Sequence, residues 1–562
     1  MLAAPAAHPI AAQTPDTAPP AEPAPIEAGR AAPEGTYAAD GIDVIHYDIE
    51  VALPRGAGEI FGTTTIDLQT EPGLRQARLD FTGLRVDAIE VDGTPAPGWT
   101  HEDGVLLIEL PEGSGGSARQ LRVRYGGTPD DGLILGETVH GQPSAFVDNW
   151  PNRARFWFPS ADHPSDKATA RLTVHAPAEW QVIANGRRVG QPYPTPADVP
   201  GAEVGPRRTW VYDTRVELPS YTMVVGGADL QIDTVGLAAC GSAPVSLRTD
   251  GCVAVTTWLY PQDAEAGAAS FRRGAEMVDF FADVIGPFPY EKLAHVQSST
   301  RFGGMENAAA IFYDQGAIAQ GADIEGTVSH ETAHQWFGDS VTEADWSELW
   351  LSEGFATYFG NVFFEYADGP AAFSERMTQV RERYLNSPDT LRPVIERRDN
   401  LFALLNRNNY QKGAAVLHML RREIGDDAFF SGVAEYYRRF RDSNATTPDF
   451  MQVMQEASGA ELGWFFDQWL REPGYPVLQV RSRPDNTETG SIVEIEQIQG
   501  EFAPRFVLPL TLAFDTPSGE QRRSVRLTEA RQEFRFSDVP AASAVRIDPD
   551  GDLLIRVVTG GS

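Results

Sequence analysis

From about residue 40 the chain alternates apolar and polar residues with a period of two. "IDVIHYDIEVALP", "EIFGTTTIDLQT", "VLLIEL", "RQLRVRYGG", "ATARLTVHAP" and "TWVYDTRVELPSYTMVVGG" carry this alternation and many β-branched residues, with Gly/Pro turns between them. Side chains on a strand point to opposite faces in turn, so these segments predict half-buried strands of one β domain. Near 245–260 the period changes. "DAEAGAASFRRGAEMVDFFADVIGPFPY" has helical spacing and stops at Gly286-Pro287. Helical patterns then dominate to about 472, among them "NNYQKGAAVLHMLRREIG", "DAFFSGVAEYYRRFRDS" and "TPDFMQVMQEASG". The last part returns to seven short alternating segments, "PVLQVRSR", "SIVEIEQIQ", "FVLPLTLAFD", "RRSVRLT", "EFRFS", "AVRID" and "DLLIRVV", which predict a β-sandwich. No internal repeat is visible.

At 562 residues the chain exceeds what one core can organise. The pattern divides it into a tail (1–38), a β domain (39–245), a mostly helical domain (246–472) and a β-sandwich (473–562): a multidomain α+β protein. No apolar run is long enough to span a bilayer. A net charge of −33 repels phosphate backbones, so a nucleic-acid partner is not expected. The acidity reads chiefly as a solubilising surface. The tail is rich in Ala and Pro, and its composition predicts disorder. It is similar to a linker behind an export signal, but its first basic residue is Arg30, so a charged leader start is missing. Cys240 and Cys252 flank a Gly/Ser/Pro turn region, where a hairpin would pair them; a disulfide would favour a periplasmic or secreted location over a cytoplasmic one. The only lysines are Lys167, Lys292 and Lys412.

One stretch bears chemistry on its face. "GTVSHETAHQWFGDS" puts His330 and His334 one helical turn apart, with Glu331 beside the first. Two imidazoles on one helix face can bind a single zinc ion, with the glutamate placed as a base. A catalytic zinc needs a third protein ligand. "WSELWLSEGFATYFG" offers Glu353, nineteen residues after His334, on an apolar helix where an unpaired carboxylate would be costly. Upstream, "RFGGMENAAAIFY" reads as a glycine-containing strand leading to the histidine helix, with Glu306 an acid in a nearly uncharged stretch.

Taken together, GGMEN, HETAH, eighteen further residues and then Glu353 resemble the zinc aminopeptidases of peptidase family M1. "NYQKGAAVLHML" is similar to that family's Tyr-x-Lys-Gly-Ala segment and "WFPSADHPSDKATARLTV" to its Phe-Pro-x-x-Asp-x-Pro-x-x-Lys segment. "DQWLREPGYPVLQV" matches its usual link to the next β domain. The resemblance covers nearly everything from about residue 40. It implies an N-terminal β saddle, a thermolysin-like catalytic domain and a β-sandwich. The chain ends after the sandwich, so the large C-terminal helical domain of many relatives is expected to be absent. It implies one zinc per chain held by His330, His334 and Glu353, Glu331 as general base and Tyr410 as oxyanion stabiliser. Gly303, Gly304, Met305, Glu306 and Asn307 would bind substrate, with Glu306 anchoring a free α-amine. The expected partners are peptides with a free N-terminus, and the expected state is a monomer.

Two departures stand out. The family usually has Gln or Glu near the substrate amine shortly before "ARFWFP"; here Asp148, Asn149 and Trp150 compete for that place. Gly304 stands where many relatives have Ala, although the family's epoxide hydrolases also have Gly there. A zinc endopeptidase, an epoxide hydrolase and a non-catalytic scaffold remain as rival readings. The remaining histidines, such as His46, His101, His163, His295 and His418, lack ligand spacing and read as structural or surface residues.

Overall fold

The structure is a computed structural model that describes residues 41–111, 113, 116–201, 205–240, 251–485, 490–500, 503–540 and 544–559. The Ala/Pro-rich tail lies outside the described residues. In the N-terminal part, Ile60–Thr70 buries every second residue, from Ile60 and Gly62 to Leu68 and Thr70, as its period-two pattern requires. It pairs antiparallel with Ile42–Ala52, which in turn runs parallel to Lys167–Pro177. These strands form the middle of a ten-stranded sheet, accompanied by a four-stranded and a three-stranded sheet.

The central part is built on a five-stranded sheet in the order Gln231–Ala238, Val253–Leu259, Lys292–Ser298, Ala310–Asp314, Gly304–Met305. Helices carry the rest, among them Glu325–His334, Trp350–Asp368, Gly413–Ile424 and Thr447–Ser458. The last of these opens on a capping box, Thr446 with Asp449, followed by a proline in the first turn. The C-terminal part is a four-stranded sheet facing a three-stranded one. Its seven strands are those read from the alternation. The described residues hold no large helical domain beyond them.

Three local expectations change. Gln231–Ala238 lies inside the span 39–245, yet it joins the sheet of the helical part. It is an edge strand with most residues exposed, so its pattern says strand without saying whose sheet. The single helix expected from "DAEAGAASFRRGAEMVDFFADVIG" is two, Ala264–Phe271 and Gly274–Val284, and true strands flank the pair. The break falls where Arg273 turns its guanidinium onto the Phe363 ring and pairs with Glu276 and Asp368. The helix containing Tyr410 begins with a π turn, Asn408–Lys412.

The lysines join the parts. Lys167 Nζ, from the N-terminal sheet, donates to the carbonyls of Asp339, Ser340 and Ser443 at 3.1, 2.9 and 3.3 Å. Lys292 donates to the Ala184 carbonyl and Lys412 to that of Glu472. Each gives its ammonium to backbone oxygens across an element boundary, with Lys167 and Lys412 buried and Lys292 half-buried. Burial pushes their ammonium groups down, to about 8, 8 and 7 for Lys167, Lys292 and Lys412. Cys240 and Cys252 are disulfide-bonded. Among the described residues no helix is long and apolar enough to cross a membrane.

Candidate active site

The histidine helix, Glu325–His334, lies against Trp350–Asp368. The two backbones meet at Gly360, where a Cβ would stand 3.2 Å from the Cα and N of His330. A second close approach joins Trp350–Asp368 to the Tyr410 segment. A Cβ on Gly354 would lie 2.9 Å from the Gly413 Cα and 3.1 Å from the Asn409 carbonyl oxygen. Glycine at both contacts brings three backbones close enough for short side-chain contacts between them.

His330 Nε2 and His334 Nε2 are 3.1 Å apart, and Glu353 Oε2 lies 3.3 and 3.2 Å from them. In the neutral form that a metal ligand needs, His334 would give its Nδ1 proton to the Phe337 carbonyl at 3.0 Å and turn the Nε2 lone pair inward. Ser352 Oγ supports the same nitrogen at 3.1 Å. Glu353 Oε2 is buried without a hydrogen-bond partner, although its Oε1 accepts from the Tyr410 hydroxyl at 2.5 Å. With both histidines neutral, three lone-pair atoms converge on one point. Two nitrogens and one carboxylate oxygen in that arrangement fit a zinc ion with one position left open.

A second cluster shares His334. Oxygens of Glu306 and Glu331 and a ring nitrogen of His334 all lie within 4.8 Å of one another. Three buried carboxylates therefore crowd one imidazole. Burial raises Glu306, pushed up to about 7, with Glu353 adding to the rise and His334 opposing it. Burial also raises Glu331, with further repulsion from Glu306 and Glu353. Burial alone would lower His334, but Glu306 and Glu353 hold it up at about 10. The cluster draws positive charge onto the one group able to take it, and a bound dication would meet the same demand. Tyr410 is raised well above the usual phenol range by burial and by the Glu353 charge, so its hydroxyl stays a donor. Its ring stacks on His330, centroids 6.0 Å apart.

Gln335, which the sequence reading passed over, braces the cluster. Its Nε2 donates to the Glu306 carbonyl and to Asp339 Oδ2, both at 2.8 Å, while its Oε1 accepts from the Ala309 amide at 2.8 Å. The GGMEN strand is thereby tied to the end of the histidine helix. The signal was present: a polar residue directly after HETAH on a helix buried on nearly all sides.

Asp148 and Asn149 are both committed elsewhere. Asp148 is fully buried between Arg153, 2.6 Å from Oδ1, and Arg301, 2.9 Å from Oδ2. Asp131 bridges the same two arginines. Asn149 gives its amide to the Ser220 and Met223 carbonyls and receives the Trp157 indole N–H. Trp150 packs edge-on against Phe302, Trp346 and Phe402. Asp148 thus fixes Arg301, the residue that opens the GGMEN segment, while Trp150 presents an aromatic wall beside it. His418 points away, onto Asp552 of the C-terminal part at 3.1 Å.

The peptidase family M1 domain matches residues 270–469, and the peptidase M1 N-terminal domain matches residues 44–196. The chain belongs to peptidase family M1. It is similar to the glutamyl aminopeptidase of Bos taurus, 25% identical over 80% of this chain and 48% of that protein. The chain spans about half the length of the curated relatives it matches. Among solved structures, an M1 zinc metallopeptidase from Deinococcus radiodurans superposes with a TM-score of 0.65 at 26% identity, covering 77% of this chain and 95% of that one. A mutant two-domain M1 zinc metallopeptidase bound to L-tryptophan does so with the same score, identity and coverage.

Proposed function

We propose that the protein is a zinc-dependent aminopeptidase that removes single residues from peptides with a free N-terminus. The observation carrying this reading is the shared position of His334, which belongs at once to the converging ligand set and to the Glu306–Glu331 pair. Metal chemistry and recognition of a positive charge thus occupy one buried site.

His330, His334 and Glu353 would hold one zinc ion per chain, which when bound supplies Lewis-acid polarisation and a more acidic water. Glu331 takes the proton of the attacking water and returns it to the leaving amine. Its raised pKa suits both halves of that task. The Tyr410 hydroxyl donates to the oxyanion that forms as the carbonyl is attacked. Glu306 holds the substrate ammonium. With Asp148 and Asn149 committed elsewhere, it is the acid left to do so, and a buried charge-assisted hydrogen bond is strong. An acetylated N-terminus leaves Glu306 desolvated and unpaired. The Gly303-Gly304-Met305 edge, beside Asn307, offers backbone groups for the substrate chain to pair with.

The same reading divides the described chain into an N-terminal β domain, a catalytic domain and a sandwich. It places the protein, as a monomer, in the periplasm or outside the cell, where the Cys240–Cys252 bond is stable.

Hydrolysis of a panel of aminoacyl fluorogenic amides, each beside its N-acetylated form, with and without chelator, tests the proposal. Chelator-sensitive release from the free-amine set alone is the expected result. Equal cleavage of the acetylated set would replace the exopeptidase with an endopeptidase. Inactivity of zinc-loaded protein on both sets would leave epoxide chemistry or a scaffold.

A further inference from the structure

Four charged side chains close into a ring where the N-terminal part meets the GGMEN segment. Arg153 gives one terminal nitrogen to Asp131 Oδ1 at 2.8 Å and the other to Asp148 Oδ1 at 2.6 Å. Arg301 mirrors it, with Nε 2.9 Å from Asp148 Oδ2 and a terminal nitrogen 2.7 Å from Asp131 Oδ1. The two acids stand at one end of a strand pair, Leu133–Glu137 and Pro143–Val147, whose register sets Leu133 opposite Val147. Arg153 is fixed further by the Trp150 carbonyl, 2.8 Å from its Nε. Asp131, Asp148 and Arg153 thus belong to the N-terminal part, and Arg301 reaches into their group from the central sheet. Asp148 and Arg153 are buried, so each depends on the ring for its charged partners.

The ring holds a strand that is weak by itself. Gly304–Met305 is outermost in its five-stranded sheet and pairs only as Gly304 with Tyr313 and Met305 with Phe312. Gly303 and Gly304 lead into Met305, and glycine restricts the backbone least. So short an edge strand frays unless both ends are tied. At its far end the Glu306 carbonyl accepts from Gln335 and the Ala308 carbonyl from Asn185, each at 2.8 Å. At its near end the tie is Arg301 in the ring, followed by Phe302, whose side chain meets Trp150 edge-on with centroids 6.2 Å apart.

We infer that Arg301, held by Asp148 and Asp131, is a positioning residue for the Glu306 carboxylate: the ring transmits the rigid geometry of the N-terminal strand pair to the amine anchor. The inference rests on the reading of Glu306 given above. Without the guanidinium fork the glycine pair loosens the strand, and the carboxylate spreads over positions few of which meet an incoming ammonium. Among the described residues the hydrogen bonds of Arg301 reach only Asp131 and Asp148. His330, His334, Glu353 and Tyr410 stand on other elements, so the loss falls on the amine and spares the converging ligand set.

The test compares leucine hydroxamate with isocaproyl hydroxamate, the same molecule without its amine, as ligands of the zinc-loaded protein. The ratio of their dissociation constants measures what the amine contributes. R301Q is expected to lower that ratio by about tenfold, while binding of isocaproyl hydroxamate and zinc content stay near wild-type values. E306Q is expected to remove the amine advantage, and R301Q added to E306Q to change the ratio no further, because Arg301 acts through Glu306. An unchanged ratio in R301Q would overturn the inference. So would equal weakening of both hydroxamates, which would make the ring a general support, or a fall of the same size in the E306Q background. Should R301Q fail to fold, R301K keeps the cation but offers a point charge in place of the two-sided fork. A lowered ratio in R301K then supports the inference, and a wild-type ratio refutes it. A full amine advantage in E306Q would instead remove the reading of Glu306 itself, whatever R301Q does.

Discussion

A tyrosine hydroxyl 2.5 Å from a proposed metal-ligand carboxylate can act in catalysis or merely orient that ligand. The two roles separate kinetically. As an oxyanion donor, Tyr410 contributes only once negative charge develops, so Tyr410→Phe should lower kcat by on the order of 100-fold and shift KM by less than about threefold. Zinc content measured on the same preparation should stay at wild-type level. Loss of zinc with a parallel loss of rate would assign Tyr410 to ligand orientation instead. At this scale the sequence was most readable. His330, His334, Glu353 and Glu331 were singled out from types and spacing and Glu306 through the family resemblance, and the structure brings all five together. Gln335, Ser352 and the arginines on Asp148 were not singled out. Their roles depend on which distant carbonyl or carboxylate faces them, and local pattern does not encode that.

At the scale of elements, the site depends on how closely helices approach. Gly354 and Gly413 let Trp350–Asp368 touch the start of Gly413–Ile424, backbone to backbone. Glu353 and Tyr410 sit beside that contact. A Cβ on Gly413 would come within 2.9 Å of the Gly354 Cα, and backbone atoms cannot step aside as a side-chain tip can. Gly413→Ala should therefore part the helices, costing about 1–3 kcal/mol in a denaturant titration. It should also reduce kcat, because Tyr410 retreats from Glu353. A stable variant with intact kcat would show that the contact has no influence on the site. The π turn Asn408–Lys412 serves the same end. Asn408 and Asn409 are buried, and their amide groups bond the carbonyls of Asp389, Arg392, Pro393 and Leu404. "NNYQKG" read as the start of a helix; its tighter requirement arises from neighbours outside the segment.

For the molecule as a whole, the pH dependence of stability has a defined contributor away from the proposed metal ligands. Burial raises the Asp166 carboxyl to about 8, with Asp43 and Glu217 adding to the rise and the Val44 amide opposing it. Its ordinary value is 3.8. The folded chain therefore keeps this proton up to about pH 8, while the unfolded chain releases it near pH 4. Between those values the folded state binds more protons, so stability falls as pH rises and levels off above about pH 8. Asp166→Asn should flatten that slope, so the variant gains on the wild type from pH 5 to pH 8 in paired urea titrations. An identical decline in both proteins would exclude Asp166 as the source.

What the sequence determined alone was what repeats locally or is set by residue type. Period two yields the strands of both β parts, the helical period yields the centre, and ligand chemistry yields the proposed zinc set. These follow from backbone geometry and from donor atoms, which each segment carries with it. The tertiary structure decided what depends on meetings between segments. Gln231–Ala238 took its sheet from its pairing with Val253–Leu259. Asp148 was claimed by Arg153 and Arg301, which removes it from the neighbours proposed for an incoming amine. Gly304 met Glu331 only when the histidine helix was laid beside the GGMEN strand. Excluded volume and partner choice are properties of pairs of residues distant in the chain, and the packed molecule is where those pairs first exist.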